Sequence, residues 1–410
     1  MKVLIVHNRY RHAGGEDIVV GQEAEILRAA GHSVVEYHRS NLELDSMTLL
    51  QHAAFPFRAL WSIGSYGAIQ SLIRREKPDI AHVHNTLALV SASAYRAIAQ
   101  TGTPLIQTLH NYRLLCPRAD LFRGAAVCES CMGRTLPWPA ILHRCYHGNL
   151  AHSAGAAALL VFRRIMNVDR YVDSYIALTA FARQKFIQGG VPGAKIDLLP
   201  NCVCPDPGWQ DDKDGYAVVA SRFSPEKRIL TVLEAWQHVR GVPLKLIGSG
   251  DAEGSLKAVA ERLRLDNVDF LGWRPRDEVV KILKRAAFLV FPSEWYENFP
   301  MSICEAFACG VPVIASRLGA MTEIVEHGRT GLHFTPGDSR DLAEKVAWAR
   351  DHPGQLREMG RAARAEYESK YTPEQHLRGL MRIFEPAIAR HRCSDSPCPA
   401  ERTQPAPLLK

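Results

Sequence analysis

With 410 residues the chain is long enough for two domains, each with its own core, and its apolar (47%) and charged (23%) fractions are those of an ordinary globular protein, not a disordered or fibrous one. Lys and Arg number 50 against 43 Asp and Glu, a formal charge of +7; this mild excess suits a diphosphate or an acidic membrane surface, and without a dense basic stripe it argues against nucleic acid. The longest fully apolar run, Ala154 to Phe162, is too short to span a bilayer, and MKVLIVHNRY lacks the length and cleavage site of a secretory signal, so the expected location is cytoplasmic, with peripheral contact at the inner face of the membrane left open.

Taken in chain order, KVLIVH (2–7) is a buried-strand run. The segment from Gly14 reads as a helix with Val20, Ala24 and Leu27 on one face and Gly31 ending it. Further strands are expected at SVVEY (33–37), DIAHVH (79–84), PLIQTLH (104–110), SYIALT (174–179) and KIDLLPN (195–201). Strands alternating with helical patterns imply a parallel sheet covered on both faces. Periodicity stops in NCVCPDPGWQDDKDG (201–215), which reads as a linker. The alternation then restarts with YAVVAS (216–221), PLKLIGSG (243–250), NVDFLGW (267–273), FLVFPS (288–293) and PVIAS (312–316), followed by a turn-rich run to about Phe334 and helices to about His391. The expected architecture is α/β, two tandem Rossmann-like doubly wound domains over 1–203 and 204–375. A terminal helix at 376–391 is expected to pack back toward the first domain, and a disordered tail to occupy 392–410. A ligand belongs in the cleft between the domains, at the carboxyl ends of the strands.

The richest stretch is FLVFPSEWYENFPMSICEAFACGVPVIAS (288–316). Pro300 suits the first turn of a helix and Gly310 its end. Glu297 then lies in the loop before that helix and Glu305 within it. A helix start offers free N–H groups and a positive dipole end to a diphosphate, while flanking carboxylates can accept hydrogen bonds from sugar and ribose hydroxyls. Two glutamates near a helix end are, by themselves, more often solvated charges. Arg222, just after a strand in AVVASRFSPEKR, and Lys227 change the balance, since two cations projecting into one cleft can neutralise a leaving diphosphate. Gly14 and Gly15 would let backbone approach a phosphate, or simply form a turn. His110 ends a strand, where a histidine bonded to backbone is the plainer reading. His82 and His84 alternate on one strand and read as cleft lining or structure.

Several motifs in order carry a resemblance: AGGED (13–17), TLHN (108–111), LLPN (198–201), SRFSPEKR (221–228), LIGSGD (246–251), and the pair Glu297 and Glu305 in ENFPMSICEAFACGVPVIAS. Over about residues 1–385 the chain resembles retaining glycosyltransferases of family 4, with the GT-B fold. The resemblance implies transfer of a sugar from a nucleoside diphosphate sugar, UDP- or GDP-linked, with retention and without a metal required in catalysis. It makes 1–203 the acceptor side and 204–375 the nucleotide-sugar-binding domain. Arg222 and Lys227 would bind the diphosphate, and Glu297 would face the sugar hydroxyls. The backbone of Asn298, Phe299 and Pro300 would cradle sugar and phosphate, Glu305 would hold the ribose, and Gly15 would approach the phosphate from the opposite domain. The base is expected near Gly272, Trp273 and Arg274. His110 would stand beside the sugar in a positioning or charge-stabilising role. The acceptor implied is a saccharide or lipid-linked molecule of surface polysaccharide or glycolipid assembly.

Cys116, Cys128, Cys131 and Cys145 lie in an insertion-like stretch, about 114–150, after His110. One Cys-x2-Cys pair with two further cysteines is a set that structural zinc uses; an iron–sulfur cluster fits the same four thiolates, and unligated or redox-paired cysteines are the plain alternative. Rival functions on the same architecture are a nucleotide-sugar epimerase or a catalytically weak binding homologue.

Overall fold

The computed structural model describes residues 1–11 and 14–395; Ala13 of AGGED and the end of the chain from 396, with Cys398, lie outside the described residues. In the first half β1 (Lys2–Arg9), α1 (Gly15–Ala29), β2 (Ser33–Ser40), α2 (Leu49–Leu60), α3 (Ile63–Glu76), β3 (Ile80–Val83), α4 (Ser93–Ala99) and β4 (Leu105–Leu109) follow in order. A small hairpin, β5 (Phe122–Arg123) and β6 (Ala126–Val127), then α5 (Trp138–Leu142) and α6 (Leu150–Ile165), precede β7 (Ser174–Ala177), α7 (Ala180–Gln188) and β8 (Ile196–Leu198). The second half runs β9 (Ala217–Ala220), α8 (Ile229–Trp236), β10 (Leu244–Ile247), α9 (Glu253–Arg262), β11 (Val268–Gly272), α10 (Arg276–Arg285), β12 (Phe288–Phe291) and α11 (Met301–Ala308). It ends with β13 (Val313–Ser316), α12 (Ala320–Ile324), β14 (Gly331–Phe334), α13 (Ser339–Asp351), α14 (Pro353–Lys370) and α15 (Pro373–Asp395).

Each half folds around a six-stranded parallel sheet, ordered β2-β1-β3-β4-β7-β8 in the first and β11-β10-β9-β12-β13-β14 in the second. Both orders reverse direction once, between β1 and β3 and between β9 and β12. In a doubly wound sheet the crevice for a ligand opens at that reversal, outside the carboxyl ends of the strands. Val3 to Val6 on β1 and Ala217 to Val219 on β9 are buried, as strands covered on both faces require. Val20, Ala24 and Leu27, the α1 face read from the sequence, pack with Val3 and Ile5 on one side of the first sheet.

The end of the chain completes that first core. Leu380, Ile383, Phe384, Ala387 and Ile388 of α15 join the same cluster as Val3, Ile5 and Val20, so the C-terminal helix belongs by packing to the N-terminal domain. It extends to Asp395, so residues 392–395, expected in a disordered tail, are helical; the apolar face that anchors the helix ends at Ile388 and its last turns simply continue. The chain crosses between the domains twice, and the crossings touch: Val203 N–H donates to the Tyr371 carbonyl at 3.0 Å, and the Tyr367 hydroxyl to the Val203 carbonyl at 3.2 Å. The run expected to be only turn-rich before Phe334 contains β14, a sixth strand in register with β13. No described helix is long and apolar enough to cross a membrane.

Candidate functional site

On the second domain the site lies where β9 and β12 part. Lys227 follows β9 in a short 3₁₀ turn, Pro225–Lys227, and its Nζ reaches Glu297 Oε1 at 2.6 Å. Ser293 Oγ donates to the same oxygen at 2.7 Å. Glu297 is nearly sealed from solvent, so its charge stands on these two donors. α11 begins immediately beyond. Pro300 is its N-cap, one position before the first turn where the sequence put it; lacking an N–H, proline costs nothing there. The cation and the carboxylate are therefore in contact, three residues before the helix start at Pro300.

Arg222 does not join them. Its side chain is 69% exposed and turns to Glu226 Oε1 at 3.2 Å. A cation four residues from a carboxylate and facing no anion takes the local pair. The loop that carries it is nevertheless tightly held. Phe223 N–H donates to the Ser249 carbonyl at 2.9 Å and Ser221 N–H to the Ile247 carbonyl at 3.1 Å. Gly248 and Gly250, both at positive φ, lie so close that a Cβ would sit 1.9 Å from the Ser221 carbonyl oxygen and 2.4 Å from that of Phe223. The glycines of LIGSGD are thus spacers between two loops. Glu305 accepts from Arg276 Nε at 3.2 Å, and burial raises its carboxyl above the ordinary value although Arg276 opposes this. Arg276, which also donates to the Cys204 carbonyl at 2.6 Å, escaped the sequence reading because it lies on a different helix. Trp273 is 70% exposed after β11, next to Gly272 at positive φ, and Arg274 approaches Glu278 at 3.7 Å.

The first domain offers the loops after β1, β3 and β4. Gly14 caps α1 in an extended conformation open to any residue, and a Cβ at Gly14 or Gly15 would stand in open space, as at many other glycines of the chain. Asp17 holds the turn, accepting from the Gly14 N–H at 3.0 Å and contacting His7 Nε2 at 2.8 Å. Beside it the Tyr10 hydroxyl donates to Glu16 Oε2 at 2.8 Å. Burial pushes the Glu16 carboxyl up to about 7, against the pull of Tyr10 and Arg113. His110 closes β4, its Nε2 2.9 Å from His84 Nδ1 and the two rings stacked. His110, Glu16, Asn111 and Arg113 line one pocket that continues between α2 and α6 along Leu60, Leu87, Ala156, Leu159, Leu160 and Phe162. The two walls meet at the segment after Glu297: Tyr112 OH donates to the Glu297 carbonyl at 3.4 Å, Thr179 Oγ1 to the Asn298 carbonyl at 3.3 Å, and the Asn298 amide to the Leu109 carbonyl. Phe299 packs edge-on against Tyr371.

The four cysteines of the insertion, all free thiols, line a single small cavity between the β5–β6 hairpin and α5. Burial pushes Cys131 up to about 11, and the other three thiols add to the effect. No three of the sulfurs come within 4.8 Å of one another; among the described residues that closeness is reached only by Glu23, His82 and His84.

Over 94% of its length the chain aligns with the whole of HepE from Anabaena, solved in complex with UDP, at a TM-score of 0.66 and 18% identity. This is the GT-B fold. A sucrose-phosphate synthase from Thermosynechococcus elongatus shares the GT-B arrangement at a TM-score of 0.69 and 17% identity, over 95% of this chain and 99% of that one. Within the GT-B chain, residues 13–206 match the family model of Glycosyltransferase Family 4 and residues 208–366 that of Glycosyl transferases group 1. Among curated relatives, the D-rhamnosyltransferase WbpZ of Pseudomonas aeruginosa is 36% identical over 132 residues, 32% of this chain and 35% of WbpZ. The amylovoran biosynthesis glycosyltransferase AmsK of Erwinia amylovora is 30% identical over 218 residues, 50% of this chain and 54% of AmsK. The matched stretches thus span about a third to a half of these relatives' length.

Proposed function

We propose that this GT-B chain transfers a sugar from a nucleoside diphosphate sugar to an acceptor hydroxyl, with retention at the anomeric carbon, in surface polysaccharide or glycolipid assembly. The observation that carries the reading is the meeting of two walls: Lys227, Glu297 and the start of α11 on the second domain, joined through Glu297 and Asn298 to Tyr112, Thr179 and Leu109 beside His110 on the first. The diphosphate takes the helix start and the two cations. Lys227 then exchanges its carboxylate partner for phosphate, freeing Glu297 to accept from sugar hydroxyls, and Arg222 swings in from Glu226. Glu305 and Arg276 take the ribose, and Trp273 the base. The bond from the anomeric carbon to the phosphate oxygen breaks. The acceptor oxygen bonds to the same face, and its proton passes to the departing phosphate. Charge stabilisation by fixed donors is the main contribution, and domain closure keeps water from the donor.

The acceptor side favours a lipid-linked saccharide. Aliphatic and aromatic side chains of α2 and α6 continue the pocket that starts at His110, and α2 turns Leu49, Leu50 and Phe57 outward beside Arg58, a pattern suited to peripheral contact with an anionic membrane. For the cysteine group the proposal is structural zinc, held by Cys116, Cys128, Cys131 and Cys145, which orders the insertion and takes no part in the transfer. Its support is that four free thiols share one cavity.

Thermal shifts against a panel of UDP and GDP sugars identify the donor, and the anomeric configuration of the product reports the stereochemistry. Lys227→Ala should lower turnover about 100-fold and abolish the donor's thermal shift. Unchanged transfer by that variant, or an inverted product, sinks the reading.

A further inference from the structure

Beside the loop of Glu297 the two domains exchange aromatic rings. Phe181, in the first turn of α7, packs against the core of the second domain, and Tyr296, the residue before Glu297, against the core of the first. The ring centres stand 4.7 Å apart, edge to face. A Cβ on Gly319, at positive φ, would lie 3.2 Å from each ring, so the pair is closely enclosed. Glu323 of α12 ties the start of α7 to the second domain: its carboxylate oxygens accept from the Ala180 and Phe181 N–H groups, each at 2.8 Å.

The far end of α7 meets the cysteine insertion. Glu129, in the step between Cys128 and Cys131, accepts from Lys185 Nζ at 2.6 Å. The same ammonium lies 5.5 Å from the centre of the Phe181 ring and 5.1 Å from that of Tyr296. A Cβ on Gly133 would stand 3.8 Å from the Gln188 carbonyl oxygen, so the insertion rests on α7 at a second point.

A free lysine on a helix keeps its ammonium in water and its rotamers open. Lys185 does neither, since its side chain is 13% exposed. Glu129 offsets the loss of hydration and fixes where the charge stands. An ammonium held near aromatic faces and away from water is attracted to them, so Tyr296 is gripped between Lys185 and Phe181. Burial, and then the charge of Glu129, raises the Tyr296 hydroxyl above its ordinary value. Glu297 follows across one planar peptide, in a tight turn whose N–H donates to the Trp295 carbonyl at 2.9 Å. A displaced Tyr296 therefore displaces Glu297.

We propose that Glu129, Lys185, Phe181 and Tyr296 form a clasp between the domains, through which the cysteine insertion sets the position of Glu297 against the donor sugar. Glu129, Lys185 and Tyr296 are positioning residues that act through Glu297. That Glu297 faces a sugar rests on the transfer reading above; the clasp does not, nor does it depend on what the four thiols hold.

The test compares binding of the nucleotide sugar selected by the thermal-shift panel with binding of the matching UDP or GDP alone, by calorimetry on the full chain. Lys185→Met and Glu129→Gln should each weaken the nucleotide sugar about tenfold and leave the nucleoside diphosphate unchanged, because only the sugar meets Glu297. Lys185→Arg should restore most of the loss, and the double variant should be no worse than Lys185→Met, as for two members of one unit. Unchanged nucleotide-sugar binding, an equal loss for the nucleoside diphosphate, or additive losses overturn the proposal. Protein labelled with 3-fluorotyrosine, with the Tyr296 line identified by its loss in Tyr296→Phe, reads the clasp directly. That line should move in Glu129→Gln, and an unmoved line also overturns the proposal. Should Lys185→Met not fold, Glu129→Gln on the outer side of the pair carries both measurements. Should no nucleotide sugar bind, the transfer reading falls and the Tyr296 line still reports the clasp.

Discussion

A carboxyl group that keeps its proton near neutrality can donate as well as accept, and Glu16 is such a group on the first-domain side, in the pocket beside His110. Its value is raised by burial to about 7. The folded chain therefore binds this proton more tightly than the unfolded chain. The stability linked to it is fully present below the usual glutamate value and is lost as pH rises through about 7. Glu16→Gln should accordingly be matched to the unmodified protein at pH 5 and melt at a higher temperature at pH 8. Equal melting curves at both pH values would refute the assignment. Some residues of the site were legible and others were not, for one physical reason. Lys227 and Glu297 sit at fixed offsets from strand ends, so motif spacing brings them together, and the structure has them in contact. Glu16 and Arg276 owe their places to burial and to neighbours far away in sequence, Arg113 and Glu305, which spacing does not encode. Arg222 shows the converse: the offset was right, and the side chain faces Glu226.

At the scale of elements, two pairs of glycines give opposite predictions for one substitution. A Cβ on Gly250 would meet the backbone of Phe223, which cannot yield. Gly250→Ala should destabilise the protein by about 1–3 kcal/mol and weaken donor binding by displacing the loop of Arg222. Gly14 has open space before it, so Gly14→Ala should leave the melting temperature unchanged and lower donor affinity by occupying the cleft. Calorimetry with donor titration separates the two; equal behaviour would mean that one pair has been misread. The cysteine insertion is tested by elemental analysis of protein purified without chelator. One zinc per chain is expected, lost together with the order of residues 114–150 in Cys131→Ser, and iron or no metal would exclude zinc. Buried strands such as β1 and β9 were plain from their continuous apolar runs. β14 was not, because a glycine and a histidine break the apolar run of its four residues after a turn; its register comes from pairing with β13.

For the molecule as a whole, tandem alternation of strands and helices was enough to predict two doubly wound domains and a cleft between them. It could not predict which strands part, and that decides where the cleft is active. In both sheets the parting strands are those whose loops carry the site: β1 and β3 with Gly14 and His84, β9 and β12 with Lys227 and Glu297. α15 was expected to lean on the first domain; its side chains complete that domain's core and deliver His376 to Glu23.

The two crossings between the domains lie side by side, joined from Val203 to Tyr371. Mechanically they are a single pin. Two strands of chain fastened together make bending across their common line the easiest relative motion of the domains, and such bending would open or close the contacts of Glu297 and Asn298 with Tyr112, Thr179 and Leu109. The pin is also redundant: a cut in the linker at 204–215 would leave the second crossing and the core around α15 to hold both halves as one particle.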